Sequence, residues 1–374
     1  MSAALDVIIV GSGPGGLAAA LLAKQHSRSF LILEKGGQTM QGIIDTYPKG
    51  KKVYPTKPKS YPDPFPVMEV KPPDENVPVE AYVEQADTLV KDFGLNIRHN
   101  EEFLSIDGSF PNYIVKTDKG SYVTRNIILA FGSNIPNDLG IYGEAKTVAR
   151  NIENGEDYIG INVLVIGGGN AAADVVSSLS KIKREARDDG TSVYWAHIKE
   201  TFEINKDTAR DLGEEVLLGG HIKILQKAIP KIGEVDADGI DRLYIHQTHS
   251  AGAGNDMYMY QGMSFPMKNV IACIGTHGPS AIFDALNLQQ ITCTGPICKI
   301  AKEGERLLML SDHLETSMQG IFAIGGAISP SYMEIGPDGV IKEKKHSNLI
   351  YTAVLDAQIV MEKILARDNA MAGG

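Results

Sequence analysis

The sequence predicts an α/β protein made of two parallel-sheet domains, one built inside the other. Two glycine-rich turns, GSGPGG at residues 11–16 and GGGNAA at residues 167–172, each follow a short apolar run and precede an alanine-containing stretch. A third apolar run, GIFAIGG, ends at residue 326. A buried strand that leads through glycines into a helix is typical of a nucleotide-binding unit. The pattern therefore indicates two Rossmann-like dinucleotide-binding domains, the second inserted into the first.

The order of the motifs predicts the domain boundaries. Residues 1–140 and 300–374 should form the outer domain, and residues 141–299 the inserted one. The chain has 374 residues, of which 43% are apolar and 22% are charged, as in ordinary globular proteins. Its formal charge of −10 argues against a broad nucleic-acid-binding face.

The sequence also predicts the cellular compartment. No apolar run approaches the ~20 residues of a membrane span. Three cysteines are too few for a secreted disulfide framework. The first apolar run, LDVIIV, leads straight into glycines instead of following a basic leader. We therefore expect a cytoplasmic protein without a membrane span.

The first glycine turn carries a complete dinucleotide fingerprint. Gly11 allows a tight turn, Gly13 lets a pyrophosphate approach the backbone, and Gly16 permits close packing of helix and strand. The next apolar run ends at Glu34, an acid placed to accept hydrogen bonds from a ribose diol. The alternative is a glycine-rich turn that binds nothing, but it leaves the strand, helix and acid unexplained.

The second glycine turn has the form G-x-G-x-x-A at Gly167, Gly169 and Ala172. The strand that follows, TSVYWA, has no acid at its last position to bind a ribose 2′-hydroxyl. His197 and Lys199 come directly after it, and positive groups there would accommodate a 2′-phosphate. The alternative is that both are ordinary surface residues.

Other strand ends and one proline-rich segment complete the layout. ILAFGSNIP reaches glycine at residue 132, and NVIACIGTHGPS does so at residue 275. Strands that end in glycine and then proline mark the chain leaving a sheet. Prolines crowd residues 55–78, which excludes helix and central strand there and predicts an extended loop over the first domain.

With these motifs in this order, the chain resembles the thioredoxin-reductase-like flavoproteins over nearly its full length. GSGPGGLAAA, EKGGQ, ILAFGSNIP, GGGNAAAD, HIKETFE and GIFAIGG each match a family motif. The resemblance implies FAD in the outer domain and NADPH or NADH in the inserted one. It assigns to FAD the residues Gly11, Gly13, Pro14, Gly15, Gly16, Glu34, Lys35, Gln38, Tyr47, Ala130, Phe131, Gly132, Gly325, Gly326 and Ala327. It assigns to the nicotinamide nucleotide Gly167, Gly169, Asn170, Ala171, Ala172, His197, Lys199 and Gly275.

The chain departs from the family pattern in both domains. Gly326 stands where the family has an aspartate against the ribityl chain of FAD, and Phe131 stands where it has threonine. HIKETFE keeps only the histidine, one basic residue and the phenylalanine of the family's HRRxxFR. Lysine is a weaker substitute for arginine there, because it lacks the planar fork that holds phosphate bidentately.

The cysteine pair of thioredoxin reductases is also missing. No Cys-x-x-Cys occurs, and we expect Cys273, Cys293 and Cys298 to be inert thiols. Gly15 stands where relatives that reduce bacillithiol disulfide carry a cysteine, which argues against a small disulfide as substrate.

Family members without a cysteine pair that exchange electrons with ferredoxin or flavodoxin are the better match. In them a Tyr-Pro segment follows the GGQ turn, as Tyr47 and Pro48 do here. Tyr47 would stack on the isoalloxazine ring or, alternatively, pack under the proline-rich loop.

Three functions follow as hypotheses. The first is an FAD enzyme that passes electrons between NAD(P)H and an acidic ferredoxin or flavodoxin. The second is a reductase of a small disulfide or other small acceptor. The third is a flavin-bearing electron-transfer subunit of a larger complex, with weakened or lost NAD(P)H binding. Each relies on the flavin, so we expect no catalytic acid–base dyad and no metal site. The resemblance further implies a homodimer.

Two lysine clusters suggest where an acidic carrier would dock. Lysines recur at positions 49, 51, 52, 57 and 59, and again at 342, 344 and 345, where His346 completes the second cluster. A local positive field on an acidic protein would steer such a partner. The alternative is two solvated loops that only keep the surface charged.

Overall fold

The computed structural model describes residues 4–47, 51–53, 77–133, 135–139, 148–152, 154–251, 255–294, 300–301 and 304–372. Only residues 77 and 78 of the predicted proline-rich loop fall within these ranges. Pro48, Cys298 and the lysines at 49, 57 and 59 lie outside the described residues.

The described residues form strands and helices, which alternate in residues 5–46 and again in residues 163–225. The strands are β1 Leu5–Val10, β2 Phe30–Leu33, β3 Lys52–Val53, β4 Val77–Pro78, β5 Ile97–Arg98, β6 Phe103–Ser109, β7 Asn112–Thr117, β8 Ser121–Leu129, β9 Ile135–Pro136, β10 Val163–Ile166, β11 Val193–Ala196, β12 Ile222–Leu225, β13 Ala228–Val235, β14 Asp241–Ala251, β15 Asn255–Pro266, β16 Val270–Ala272, β17 Thr276–His277, β18 Gln290–Thr292, β19 Arg306–Ser311, β20 Ile321–Ala323, β21 Ser331–Ile335 and β22 Ile341–Lys345. The helices are α1 Pro14–Gln25, α2 Gln41–Thr46, α3 Val79–Asp92, α4 Asn170–Glu185, α5 Lys206–Leu217, α6 Ser280–Ala285 and α7 Ile350–Ala372.

The first compact unit comprises residues 1–45, 52–135 and 276–374. Its main sheet has the order β5-β2-β1-β8-β7-β6, and β20 also pairs with β8. Strands β5, β2, β1, β8 and β20 run parallel, whereas β7 is antiparallel to both β8 and β6. Because β2 and β8 flank β1 on opposite sides, the chain reverses its direction of travel across the sheet at the carboxyl end of β1. Such a switch point is where open α/β sheets bind ligands.

Burial explains why these residues form the central strands and the helix after them. Residues 7–10 of β1 and 127–129 of β8 are buried, as parallel strands covered on both faces require. Helix α1 is buried over residues 15–23, so it reads as apolar nearly all round. The long C-terminal helix α7 packs against it.

The second compact unit comprises residues 46–51 and 136–275. Its parallel sheet has the order β12-β11-β10-β16, and β13, β14 and β15 form a separate antiparallel sheet. Alternate residues of β10 serve two cores: Leu164 and Ile166 join Leu243 and Phe265 of the antiparallel sheet. Val163 and Val165 instead join a cluster that includes residues of α4. In this sheet the switch point lies at the carboxyl end of β10, because β11 and β16 flank β10 on opposite sides.

The structure corrects the predicted domain limits. The chain leaves the first unit after residue 135 and returns at 276, whereas the sequence predicted 140 and 300. The early return has a physical cause: β18 pairs with β19, and α6 also contacts that strand. Residues 46–51, predicted in the outer domain, group with the second unit.

Candidate nucleotide sites

The first glycine turn is shaped by backbone contacts that exclude side chains. Gly11 has a φ of +106°, and a Cβ on it would lie 2.4 Å from the carbonyl oxygen of Ala130. A Cβ on Gly16 would lie 2.0 Å from the carbonyl oxygen of Gly11. Both glycines are therefore required by the fold of the unit, whether or not a ligand is present.

Gly13 differs from its neighbours, because a Cβ there would meet nothing within 4 Å. It caps the N-terminus of α1 without any side-chain hydrogen bond, and Pro14 opens the helix. Because glycine has no side chain, residue 13 cannot cap the first-turn N–H groups of α1. An anion in front of these N–H groups would be stabilised by the helix dipole. We call this open space, between Gly13 and the first turn of α1, a cradle. It fits the pyrophosphate of a dinucleotide.

Glu34 is buried and has a structural task that the sequence did not reveal. One carboxylate oxygen accepts hydrogen bonds from the backbone N–H and the hydroxyl of Ser12, at 2.9 and 2.7 Å. The other accepts the N–H of Gly36 at 2.8 Å. A carboxylate offers about four lone-pair positions, so it retains acceptor capacity for a ribose hydroxyl. That ribose contact remains a prediction.

Ser12 was missed by the sequence reasoning. It is fully buried, and its hydroxyl also accepts the N–H of Met40 at 3.1 Å. Ser12 therefore ties the glycine turn to the turn after β2, where Lys35 and Gln38 are exposed. The only signal in the sequence is its position between two fingerprint glycines, which the fingerprint leaves variable.

The other predicted FAD residues of the first unit lie at the ends of β8 and β20, which run side by side in parallel. A Cβ on Gly326 would lie 2.6 Å from the backbone nitrogen of Ser133 and 3.0 Å from the carbonyl carbon of Gly132. An aspartate at position 326 would therefore require Ser133 to move, which explains the glycine that departs from the family motif. The remaining residues of these turns are Ala130, Phe131, Gly325 and Ala327.

A buried polar network supports the turn at Gly325 and was also missed. The Gly325 N–H donates to Asp356 of α7 at 2.8 Å, and His346 Nε2 lies 2.9 Å from the same carboxylate oxygen. His346 Nδ1 in turn lies 2.7 Å from the hydroxyl of Ser329. All three side chains are buried. Residues 329, 346 and 356 form no recognisable spacing, so sequence reasoning had no signal for them.

The first turn of α7 closes the same region. A Cβ on Gly15 would lie 3.1 Å from the carbonyl oxygen of Ala353, and one on Gly325 would lie 3.1 Å from its Cβ. The buried hydroxyl of the preceding residue, Thr352, has no hydrogen-bond partner among the described residues.

The second glycine turn repeats the geometry of the first. Gly167 has a φ of +143°, and a Cβ on it would lie 2.2 Å from the carbonyl oxygen of Cys273. A Cβ on Gly169 would meet nothing within 4 Å. Gly169 also caps the N-terminus of α4 without a side-chain hydrogen bond. The second unit therefore presents an equivalent cradle at its own switch point.

The segment after β11 folds back onto this second cradle. A Cβ on Gly168 would lie 2.3 Å from His197 Nε2, and Trp195 Nε1 donates to the carbonyl of Gly167 at 2.7 Å. The N–H of Glu203 donates to the carbonyl of Gly168 at 2.7 Å.

The other residues predicted to bind the nicotinamide nucleotide include Asn170, whose side-chain oxygen accepts the N–H of Asn205 at 2.8 Å. Ala171 is exposed, Ala172 is buried, and Gly275 lies beyond β16.

The charges around this cradle differ from the prediction. Lys199 forms a 2.7 Å ion pair with Glu203. Burial, helped by the charge of Lys199, lowers the pKa of His197 below its usual 6.5, and Glu203 only partly opposes the shift. His197 is therefore neutral at pH 7. Neither predicted basic residue stands as an uncompensated positive charge.

Tyr47 belongs to the second unit by its contacts. The Nζ atom of Lys51 lies 4.3 Å from the centre of the Tyr47 ring, and it also pairs with Asp174 at 3.4 Å. The stacking of Tyr47 on a flavin remains a prediction. The ion pair to Asp174 also means that Lys51 does not contribute an isolated positive charge.

The cysteines that the structure describes are free thiols. Burial raises the pKa of the Cys273 thiol to about 12, so almost none is thiolate at neutral pH. Cys293 is buried.

Among the described residues, no group of three or more histidine, cysteine, aspartate or glutamate side chains is arranged to hold a metal. In the same part of the chain, no helix has the length and apolar character needed to cross a membrane.

Known proteins resemble this chain along most of its length. The family model described as pyridine nucleotide-disulphide oxidoreductase matches residues 8–238. A ferredoxin–NADP reductase of Streptococcus agalactiae is 24% identical over 337 residues, covering 88% of each chain. A thioredoxin reductase of Treponema pallidum is 25% identical over 340 residues, covering 88% of this chain and 91% of its own.

Solved structures agree on the fold. The bacillithiol disulfide reductase of Staphylococcus aureus superposes with a TM-score of 0.71 at 20% identity, covering 97% of this chain and 98% of its own. Thioredoxin reductase of Lactococcus lactis gives a TM-score of 0.65 at 19% identity, covering 97% of this chain and 98% of its own. Two Rossmann-like domains, one inserted into the other, are thus confirmed.

The cofactors follow from the family and fit the residues present. The family implies FAD and NADPH. The open cradles at Gly13 and Gly169 leave room for a phosphate group in front of α1 and α4, and their use by the two nucleotides stays a prediction. With the fold, the paired fingerprints and the family match together, this chain belongs to the pyridine nucleotide-disulphide oxidoreductases and is an FAD-dependent oxidoreductase.

Proposed function

We propose that this protein passes electrons between NADPH or NADH and a ferredoxin- or flavodoxin-type carrier, without a cysteine pair. The bound FAD would supply the exchange between two-electron and one-electron steps. The observation that carries the proposal is the state of Cys273. It is the one cysteine between residues 136 and 275, and its thiol has a pKa of about 12. A lone protonated thiol cannot relay electrons through a disulfide.

The residues of the chain would then bind, orient and shield. The N-termini of α1 and α4 would each hold a pyrophosphate, and Glu34 would hold both a ribose and the turn around Ser12. The His346–Asp356 pair would keep the turn at Gly325 in place, because Asp356 accepts the N–H of that glycine. None of these groups needs to exchange a proton with the electron carrier.

A small disulfide as acceptor is the second candidate, supported by the shared fold with a bacillithiol disulfide reductase. Against it, position 15 is buried and crowded. A Cβ there would lie 3.1 Å from both the carbonyl oxygen of Ala353 and the side chain of Ile324. A cysteine at this position would need these neighbours to shift by a few tenths of an ångström, and its buried place disfavours a reactive thiol. A flavin-bearing subunit with weakened nicotinamide binding is the third candidate.

A thiol count tests the absence of a disulfide relay. We expect the chain, when denatured, to titrate as three thiols both before and after anaerobic reduction with NADPH, because all its cysteines stay reduced. A Cys273→Ala, Cys293→Ala, Cys298→Ala protein should keep its rate of carrier reduction within about two-fold. A gain of two thiols on reduction, in the unmodified protein, would show a redox-active disulfide and favour the second candidate.

The carrier is tested by stopped-flow reduction of an acidic ferredoxin by the NADPH-reduced protein. Lys342 and Lys345 are exposed on the edge strand β22, while Lys344 is paired with Glu334 at 3.1 Å. We expect the second-order rate to fall roughly ten-fold between low and high salt, because opposite charges steer the encounter. Lys342→Glu with Lys345→Glu should slow it by about as much.

The control is Lys91→Glu, an exposed lysine of α3 in the same unit. It should leave the ferredoxin rate unchanged, and no variant should alter flavin reduction by NADPH. A salt-independent rate would remove β22 as the docking strand. Failure to reduce ferredoxin or flavodoxin at all would overturn the proposed function.

A further inference from the structure

An acidic residue, Glu203, lies at the second cradle, although the strand β11 does not end in one. In dinucleotide-binding units, the residue that meets the adenine ribose normally stands at the end of the second strand, here β11. No acid occupies that place, because β11 ends at Ala196 and His197 follows. Glu203 comes back to the cradle instead. Its N–H donates to Gly168, and it forms a parallel bridge with Gly169.

Several contacts hold the returning segment in place. The ring of Phe202 packs at 4.2 Å from that of Trp195 and at 5.3 Å from that of His197. The N–H of Ala228 donates to the carbonyl of His197 at 2.9 Å. The backbone of residue 203 is therefore anchored at the glycine turn, even though its carboxylate is exposed.

The charges of this segment come in neutralised pairs. Lys199 pairs with Glu203 at 2.7 Å, and Lys227 pairs with Glu200 at 3.3 Å. His197 is neutral at pH 7, because burial and Lys199 lower its pKa. An incoming 2′-phosphate would meet Lys199 already bound to a carboxylate.

We infer that Glu203 sets the nucleotide selectivity of this site, holding Lys199 away from a 2′-phosphate and offering its own carboxylate to a ribose 2′-hydroxyl. The protein then binds NADH and NADPH with similar affinity instead of strongly preferring NADPH. The inference rests on the proposed binding of a nicotinamide nucleotide at α4. It makes Glu203 a specificity-determining residue that the strand-end rule overlooks.

The test is calorimetric titration of the oxidised, FAD-loaded protein with NADP⁺ and with NAD⁺, which differ only in the 2′-phosphate. Glu203→Gln should raise the affinity for NADP⁺ about five-fold, since it frees Lys199 and removes a repelling charge at close range. Affinity for NAD⁺ should stay the same or fall. Adding Lys199→Gln to Glu203→Gln should abolish the gain.

Glu200→Gln is the matched control. It removes the same charge from the same exposed segment but releases Lys227, and it should change the NADP⁺-to-NAD⁺ affinity ratio by less than two-fold. If Glu203→Gln shifts that ratio no more than Glu200→Gln does, while both nucleotides still bind, the inference alone is overturned. If neither nucleotide binds the wild-type protein or any variant, the proposed nucleotide site is overturned, and the inference falls with it.

Discussion

Gly13→Val protein is expected to purify folded but colourless, with less than about a tenth of its FAD. The substitution costs the fold little, because a Cβ at this position meets no atom within 4 Å and the backbone φ of −71° suits any residue. The new side chain instead fills the space before the N-terminus of α1. A pyrophosphate can then no longer reach the first-turn N–H groups. The visible absorption spectrum and a circular dichroism spectrum together test both halves of the prediction.

Two companion variants make this result specific. Gly120→Val also adds a side chain where nothing lies within 4 Å, but in an exposed turn of the same unit, and it should remain yellow. Gly16→Val should fail to fold, because its Cβ would lie 2.0 Å from the carbonyl oxygen of Gly11. A yellow Gly13→Val protein with a full complement of FAD would show that the cofactor does not use this cradle.

Gly169→Val is the equivalent experiment in the second unit. We expect a yellow, folded protein whose flavin is reduced by dithionite but at least about a hundred-fold more slowly by NADPH at a fixed low concentration. That loss corresponds to ~2.8 kcal/mol of binding. The reason is again steric: a Cβ at residue 169 meets no protein atom within 4 Å, so it projects into the cradle at the N-terminus of α4.

The control for the second cradle is Gly190→Val, an exposed glycine of the same unit whose Cβ would also meet nothing within 4 Å. It should be reduced by NADPH at the wild-type rate. Normal reduction of Gly169→Val by NADPH would mean that the nucleotide does not use the cradle at the N-terminus of α4.

Both glycine variants could be designed from the sequence because the signals behind them are local. A buried strand, a glycine that permits a positive φ and a helix N-terminus occur within a dozen consecutive residues, and each needs a particular residue type. Gly11 and Gly167 show this directly, since each has a positive φ and a carbonyl oxygen close to where its Cβ would lie. The same signals occurring twice predicted the inserted domain.

The domain limits were less predictable, because a return between sheets depends on pairing partners distant in sequence. The sequence of residues 276–294 does not show that β18 pairs with β19. The return of the chain to the first unit was therefore predicted at residue 300 instead of 276. The network of His346, Asp356 and Ser329 was missed for the same reason: its members meet only when α7 packs against the turn at Gly325.

The amino-acid pattern alone was sufficient for the fold class and the family, because backbone conformation near glycines and strand burial are short-range properties. Charge at the second cradle depended on the folded chain. His197 and Lys199 looked like a basic phosphate site in sequence, yet Lys199 is paired with Glu203 and His197 is neutral at pH 7. The electrostatic role of a side chain depends on its partners and its exposure to water, and both arise only when distant segments pack together.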